Sequence, residues 1–140
     1  MIEFQVLDGV SVDFQNWGDL RIWINQCVLQ EGFEVGNLNY VFMSDQELLS
    51  YNQKYLNHDY FTDIITFDNT EGLLVGADIL ISVDRVRDNS KVLDNKYLDE
   101  FCRVVIHGVI HLMGYKDKTL EEAHIMRRME ETFLDLRSFT

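Results

Sequence analysis

No proline occurs anywhere in the 140 residues, and only two cysteines do. The first absence excludes proline-rich linkers and polyproline recognition segments. The second leaves too few thiols for a disulfide scaffold or a four-cysteine structural zinc site. Cys27 and Cys102 stand far apart among apolar neighbours and are expected to be buried core thiols. Basic residues are scarce as well: 12 Lys and Arg face 24 Asp and Glu, for a net charge of −12. Nucleic-acid affinity comes largely from cations that displace counterions from phosphate. This balance therefore argues against a generic nucleic-acid binder, though not against a local basic patch. No apolar run approaches the ~20 residues that span a bilayer. The start Met1-Ile2-Glu3-Phe4 lacks the basic and apolar regions of a secretory leader. The chain reads as soluble and cytoplasmic, with no membrane partner.

What is present is a globular composition, 46% hydrophobic and 12% aromatic, sufficient at this length for one buried core. Without repeats or low-complexity tracts, residues 1–140 read as one domain. Ile2, Phe4 and Val6 alternate with Glu3 and Gln5, as in a half-buried strand. Phe14, Trp17, Leu20, Ile24, Cys27 and Val28 recur at helical spacing over 13–30, with Asp13 as N-cap and Gly32 as stop. Residues 37–43 suit a strand, and Ser44-Asp45-Gln46-Glu47 is a capping box opening a helix to about Tyr55. Residues 64–67 and 73–83 suit strands, joined as a hairpin through the turn-formers of 68–72. Helices are expected over 82–91, from 94 or 95 to 113, and over 119–137, where Thr119-Leu120-Glu121-Glu122 is a second capping box. The order β-α-β-α-β-β-α-α-α predicts an α+β fold, a small mixed sheet of about four strands with helices packed on it. Strand order does not follow from the pattern.

The chemistry concentrates in one stretch, where His107 and His111 stand at i and i+4 and so share a helix face one turn apart. Val104, Val105, Ile106, Val109, Ile110, Leu112 and Met113 leave that helix almost no polar face, so it is expected to be central and buried. Gly114 can end it in the left-handed conformation, letting the chain bring Asp117 back toward the histidine pair. The spacing H-x-x-x-H-x-x-G-x-x-D matches the ligand spacing of metzincin zinc proteases, with Asp in the third ligand's usual His place. These three residues predict one divalent metal, zinc first and nickel or manganese as alternatives, at the C-terminal end of the helix, where its dipole favours a cation. Three protein ligands leave a coordination position open, as at a catalytic zinc. A peptidase of this frame carries a Glu beside the first His as general base; here that residue is Gly108.

With His107-Gly108, His111-Leu112 and Gly114-Tyr115, followed by Glu122 and Met126, the sequence resembles the YbeY endoribonucleases, the ribosomal RNA maturation factors. A second stretch, Thr62-Asp63-Ile64-Ile65-Thr66-Phe67, is similar to that family's Thr-Asp-Val-Leu-Ser-Phe, and Ala77-Asp78-Ile79 with Ser82 to its Gly-Asp-Ile block. Asn52 and Asp59 fall in the approach to the second stretch. Two departures stand out: Asp117 replaces the family's third ligand histidine, and Leu56 takes the place of its usual arginine. The resemblance implies a metal-dependent endoribonuclease specific for single strands, acting in small-subunit ribosomal RNA maturation and ribosome quality control. It implies catalysis through the metal on His107 and His111, with Asp63 as a further site carboxylate. The implied partners are single-stranded or ribosomal RNA, small-subunit ribosomal proteins and an Era-like GTPase.

Alternatives stay open at this stage: another zinc hydrolase such as a peptidase, or a non-catalytic ribosome assembly factor that retains the metal. Asp63 and Asp78 are candidates to orient an imidazole, and His124 is a reserve third ligand. His58, Lys54, Lys116 and Lys118 are candidate replacements for the missing arginine. Arg85, Arg87, Lys91 and Arg103 could line an RNA groove, and Tyr115 either stacks a base or packs beneath the turn.

Overall fold

The structure is a computed structural model describing residues 1–140. Its elements follow the expected order: β1 (Ile2–Val6), α1 (Trp17–Gln30), β2 (Glu34–Met43), α2 (Asp45–Leu56), β3 (Ile64–Asp68), β4 (Leu74–Ser82), α3 (Val83–Val92), α4 (Tyr97–Leu112) and α5 (Leu120–Asp135). Both capping boxes form. Ser44 accepts from the Glu47 amide and Thr119 from the Glu122 amide, while each glutamate reaches back to the cap residue's own N–H. No helix is long and apolar enough to cross a membrane.

Two boundaries differ from the sequence expectation. Asp13 is not an N-cap, because α1 begins at Trp17 after Asn16. Phe14 is buried all the same, with its ring 4.9 Å from Trp17 and 5.0 Å from Phe101. An aromatic entering the core from an irregular segment mimics one more helical turn in the sequence pattern. β2 starts at Glu34, before the expected 37, because its register against β4 shifts between Val35 and Leu38. Such an irregularity breaks the period-two alternation that marks a strand.

The sheet order is β1-β2-β4-β3, with β1, β2 and β4 parallel and β3 antiparallel to β4 through the expected hairpin. Alternation along β2 and β4 sends Leu38, Tyr40, Phe42, Ala77, Ile79 and Ile81 into the main core with α1 and α4. The intervening Val41, Met43 and Leu80 meet Ile65 and Leu48 on the other face, beneath α2. Cys27 and Cys102 are buried free thiols, and burial pushes them up to about 12 and about 11 respectively.

Three contacts fix the helical layer over the sheet. Tyr40 Oη donates to the Val105 carbonyl at 3.0 Å, pinning α4 to β2. Trp23 Nε1 donates to the Phe133 carbonyl at 2.7 Å, pinning α1 to α5. Gly108 lets α4 settle onto the hairpin: a Cβ there would stand 3.0 Å from Ile64 Cδ1 and 3.4 Å from Thr66 Oγ1. Gly108→Leu is therefore expected to destabilise by ~1–3 kcal/mol through overpacking, seen as a lowered denaturant midpoint. Gly108→Ala should be close to neutral, since its ~1 kcal/mol of helix propensity offsets the tight contact. A leucine variant as stable as the wild type would show that α4 is not held at this distance.

Candidate metal centre

α4 presents both imidazoles on one edge, with their Nε2 atoms 3.0 Å apart and the ring planes at 88°. Gly114 follows with φ +101°, the left-handed conformation expected of it. The reversed chain brings Asp117 Oδ2 to 3.4 Å from Nε2 of His107 and 3.4 Å from Nε2 of His111. These three donor atoms form a group that could hold a metal ion.

The protons on the rings decide what the group can bind. His107 Nδ1 lies 2.6 Å from Glu130 Oε2, and His111 Nδ1 lies 2.8 Å from the Tyr115 carbonyl. A backbone carbonyl only accepts, and so does a carboxylate paired with arginine, so each Nδ1 must donate. In the neutral ring this leaves the lone pair on Nε2, directed at the other imidazole and at the Asp117 carboxylate. Three converging electron-rich atoms repel one another, and a cation among them turns that repulsion into attraction. Tetrahedral ligands at ~2.0–2.1 Å from zinc stand ~3.3–3.4 Å apart, close to the spacings here. The donor set fits such an ion.

Behind His107 lies a buried charge network. Arg103 binds Glu100 through two bonds, Nε at 2.8 Å and Nη2 at 2.5 Å, and its Nη1 lies 3.4 Å from Glu130 Oε2. Glu100 is 0% exposed and Glu130 2%, so neither carboxylate has water to solvate it. The hydrogen bonds to Glu100 push the guanidinium pKa up despite its desolvation. Glu130 is thus the residue that orients His107, a role for which the sequence offered Asp63 and Asp78. One signal could have found it: Met126, Glu130 and Phe133 share the buried stripe of α5, and an acid on such a stripe requires a partner.

Of the predicted residues, His107, His111 and Asp117 come together in a group that could hold a metal, and Asp63 lines the same cleft of ≈ 700 Å³ without joining them. Asp63 stands just before β3, 3.9 Å from Arg103 Nη2 and 3.5 Å from Asn89 Nδ2. Asp78 faces away on the open side of the sheet, accepting from Asn39 at 3.2 Å. His124 is exposed on α5 and does not line the cleft. Glu122 serves its capping box. His58 and Lys118 line the cleft together with Leu56 and Thr62, whereas Lys54 and Lys116 do not. The groove arginines are engaged elsewhere: Arg85 pairs with Asp45 at 2.7 Å, Arg87 approaches Asp84 at 3.9 Å, and Arg103 lies inside the network. Tyr115 packs against the core and donates to Glu31 at 2.9 Å.

Burial raises the Asp63 carboxyl above its ordinary 3.8, opposed by Arg103 and His107. A raised acid pKa means the folded state holds its proton more tightly than the unfolded chain. Ionised Asp63 therefore subtracts stability at neutral pH, and that loss disappears below the ordinary carboxylate range. Asp63→Asn is expected to melt no lower than the wild type at pH ~7. A fall of several degrees would instead make Asp63 part of the structural network.

The sequence model of the family described as Endoribonuclease YbeY matches residues 9–137. The Endoribonuclease YbeY of Cytophaga hutchinsonii is 48% identical over 123 residues, covering 86% of this chain and 85% of that protein. That of Porphyromonas gingivalis is 47% identical over 127 residues, covering 91% and 84%, and that of Phocaeicola vulgatus 41% over 138, covering 99% of both. Among solved structures, the solution structure of TM1509 from Thermotoga maritima superposes with a TM-score of 0.70 at 27% identity, covering 96% of this chain and 87% of that one. A family match over nearly the whole length, with relatives above two-fifths identity, makes this chain a member of the Endoribonuclease YbeY family.

Proposed function

We propose that this chain is a metal-dependent endoribonuclease that cleaves single-stranded RNA in ribosomal RNA maturation, one hydrolase domain over residues 1–140. The observation that carries the metal reading is the convergence of two imidazoles, each with its Nδ1 held by an acceptor, and one carboxylate on a common point. Two imidazoles and a carboxylate at tetrahedral spacing suit zinc best, with nickel and manganese behind it. A divalent ion bound there supplies Lewis-acid activation at the scissile phosphodiester.

The chain's own residues do the rest. Glu130 and the Tyr115 carbonyl hold the imidazole protons at Nδ1 and so keep both Nε2 lone pairs forward. Asp63 has its carboxyl raised by burial on the cleft wall, which suits it to move a proton during cleavage. Lys118 is positioned to meet substrate phosphate. A peptidase reading finds no base at Gly108, whose Cβ direction runs into β3 and β4. With a net charge of −12, the surface attracts bare polyphosphate poorly. That supports recruitment through small-subunit ribosomal proteins and an Era-like GTPase, in the cytoplasm where ribosomes mature.

Metal analysis and RNA cleavage test this together. Purified wild type is expected to hold about one zinc per chain, the number one three-ligand catalytic site takes, and to lose cleavage on chelation. His111→Ala should bind none. Glu130→Gln should weaken metal affinity ~10–100-fold, the usual effect of losing an outer-shell carboxylate. A wild type that takes up no zinc, nickel or manganese would overturn the metal reading. A 2′,3′-cyclic phosphate product would identify the RNA 2′-hydroxyl as nucleophile and rule out direct water attack.

A further inference from the structure

The cleft contains one lysine, Lys118, and no arginine. Beside the metal ligands its wall includes instead His58, Tyr60 and Leu56, from the end of α2 and the segment leading to β3. The His58 and Tyr60 rings lie near parallel, 5.1 Å between centroids and 22° between planes, joined by a 3.0 Å hydrogen bond between Tyr60 Oη and His58 Nδ1. Tyr60 is 57% exposed and Leu56 42%, and no other element covers them.

Exposed aromatics on loops usually pay for binding by losing freedom, but this segment is already fixed. Asn52, 1% exposed, holds both sides of it. Its Nδ2 donates to the Tyr60 carbonyl at 2.9 Å, and its carbonyl accepts from the His58 amide at 3.1 Å. Asn57 makes the turn between them in the left-handed conformation, φ 56°. The ring pair is therefore preorganised at the mouth of the cleft, and Asn52 is the buried polar group that keeps it there.

We infer that the His58–Tyr60 pair is the platform on which an unpaired base of the RNA stacks while its phosphate lies at the metal ligands. The inference rests on the endoribonuclease reading and specifies its substrate site. Every base offers a π-face, so stacking grips single strands without reading sequence, and a base held in a duplex has no free face to give. Stacking also needs no basic surface, which suits a chain this acidic. Ring contact here does the work that phosphate contacts do elsewhere, so affinity depends weakly on salt.

Binding of the metal-loaded full chain to a fluorescent 2′-O-methyl oligouridine tests the assignment, alongside the same backbone with abasic sugars. The wild type is expected to prefer the base-bearing strand about tenfold, within what one base–aromatic stack contributes, with a log–log salt slope of about −0.7 to −1.4, as one or two phosphate contacts on a single strand give. Tyr60→Ala should weaken that strand about tenfold and raise KM more than it lowers kcat, and Tyr60→Phe, which keeps the ring, should restore most of the affinity. Wild-type KM in Tyr60→Ala, or equal affinity for the abasic strand, would overturn the platform while leaving the endoribonuclease reading intact. A wild type that neither binds nor cleaves RNA would overturn both.

Discussion

Arg103 brings a positive charge to two carboxylates that could not otherwise stay inside the helical layer. Glu100 and Glu130 are both essentially free of solvent, and an unpaired buried carboxylate costs several kcal/mol. Once paired, Glu130 also accepts the His107 proton at 2.6 Å, on the Oε2 that Arg103 Nη1 approaches at 3.4 Å. That bond sets the tautomer of the first ligand, and the tautomer decides whether the Nε2 lone pair faces the cleft. The chain of causes runs from a guanidinium at the helix interface to the donor set at the surface. It also joins α5 to α4 by charge as well as by packing, since Glu130 lies on the stripe that carries Met126 and Phe133.

The metal centre depends equally on how close α4 sits to the sheet. Gly108, between the two histidines, allows the helix to rest on Ile64, Thr66 and Ile79. The β3 entrance, with Thr62 and Asp63, lines the same cleft as His107, His111 and Asp117. The residue that stands in place of the peptidase base is thus the one that permits the close packing behind the cleft. Backbone curvature brings Asp117 to the histidines: Gly114 turns the chain, and the Tyr115 carbonyl that fixes His111 lies in the same turn.

An acidic protein that acts on RNA poses an electrostatic problem, and the structure addresses it locally. The arginines that the sequence offered for a groove are tied to Asp45, Asp84, Glu100 and Glu130. The cleft is left with Lys118, the metal ligands and an aromatic wall. A divalent ion held there would add positive charge at the cleft rather than over the whole surface, which favours catalysis over indiscriminate binding.

Much of this was legible in the chain itself. The i, i+4 histidines, the glycine that follows and Asp117 are local in sequence, and helical periodicity with one left-handed turn suffices to bring them together. Capping boxes marked two helix starts for the same reason, since their bonds span three residues. By contrast, α1 and β2 began elsewhere than expected, because a buried Phe14 and a register shift disturb the periods that a one-dimensional pattern relies on. Strand order, Glu130 as the partner of His107, Asp78 on the far face and the burial of Arg103 were decided only in three dimensions. Each depends on which surfaces of distant segments meet, with 23 residues separating His107 from Glu130. The sequence determined which side chains could bind a metal; the packing of α5 on α4 decided which way the His107 lone pair points.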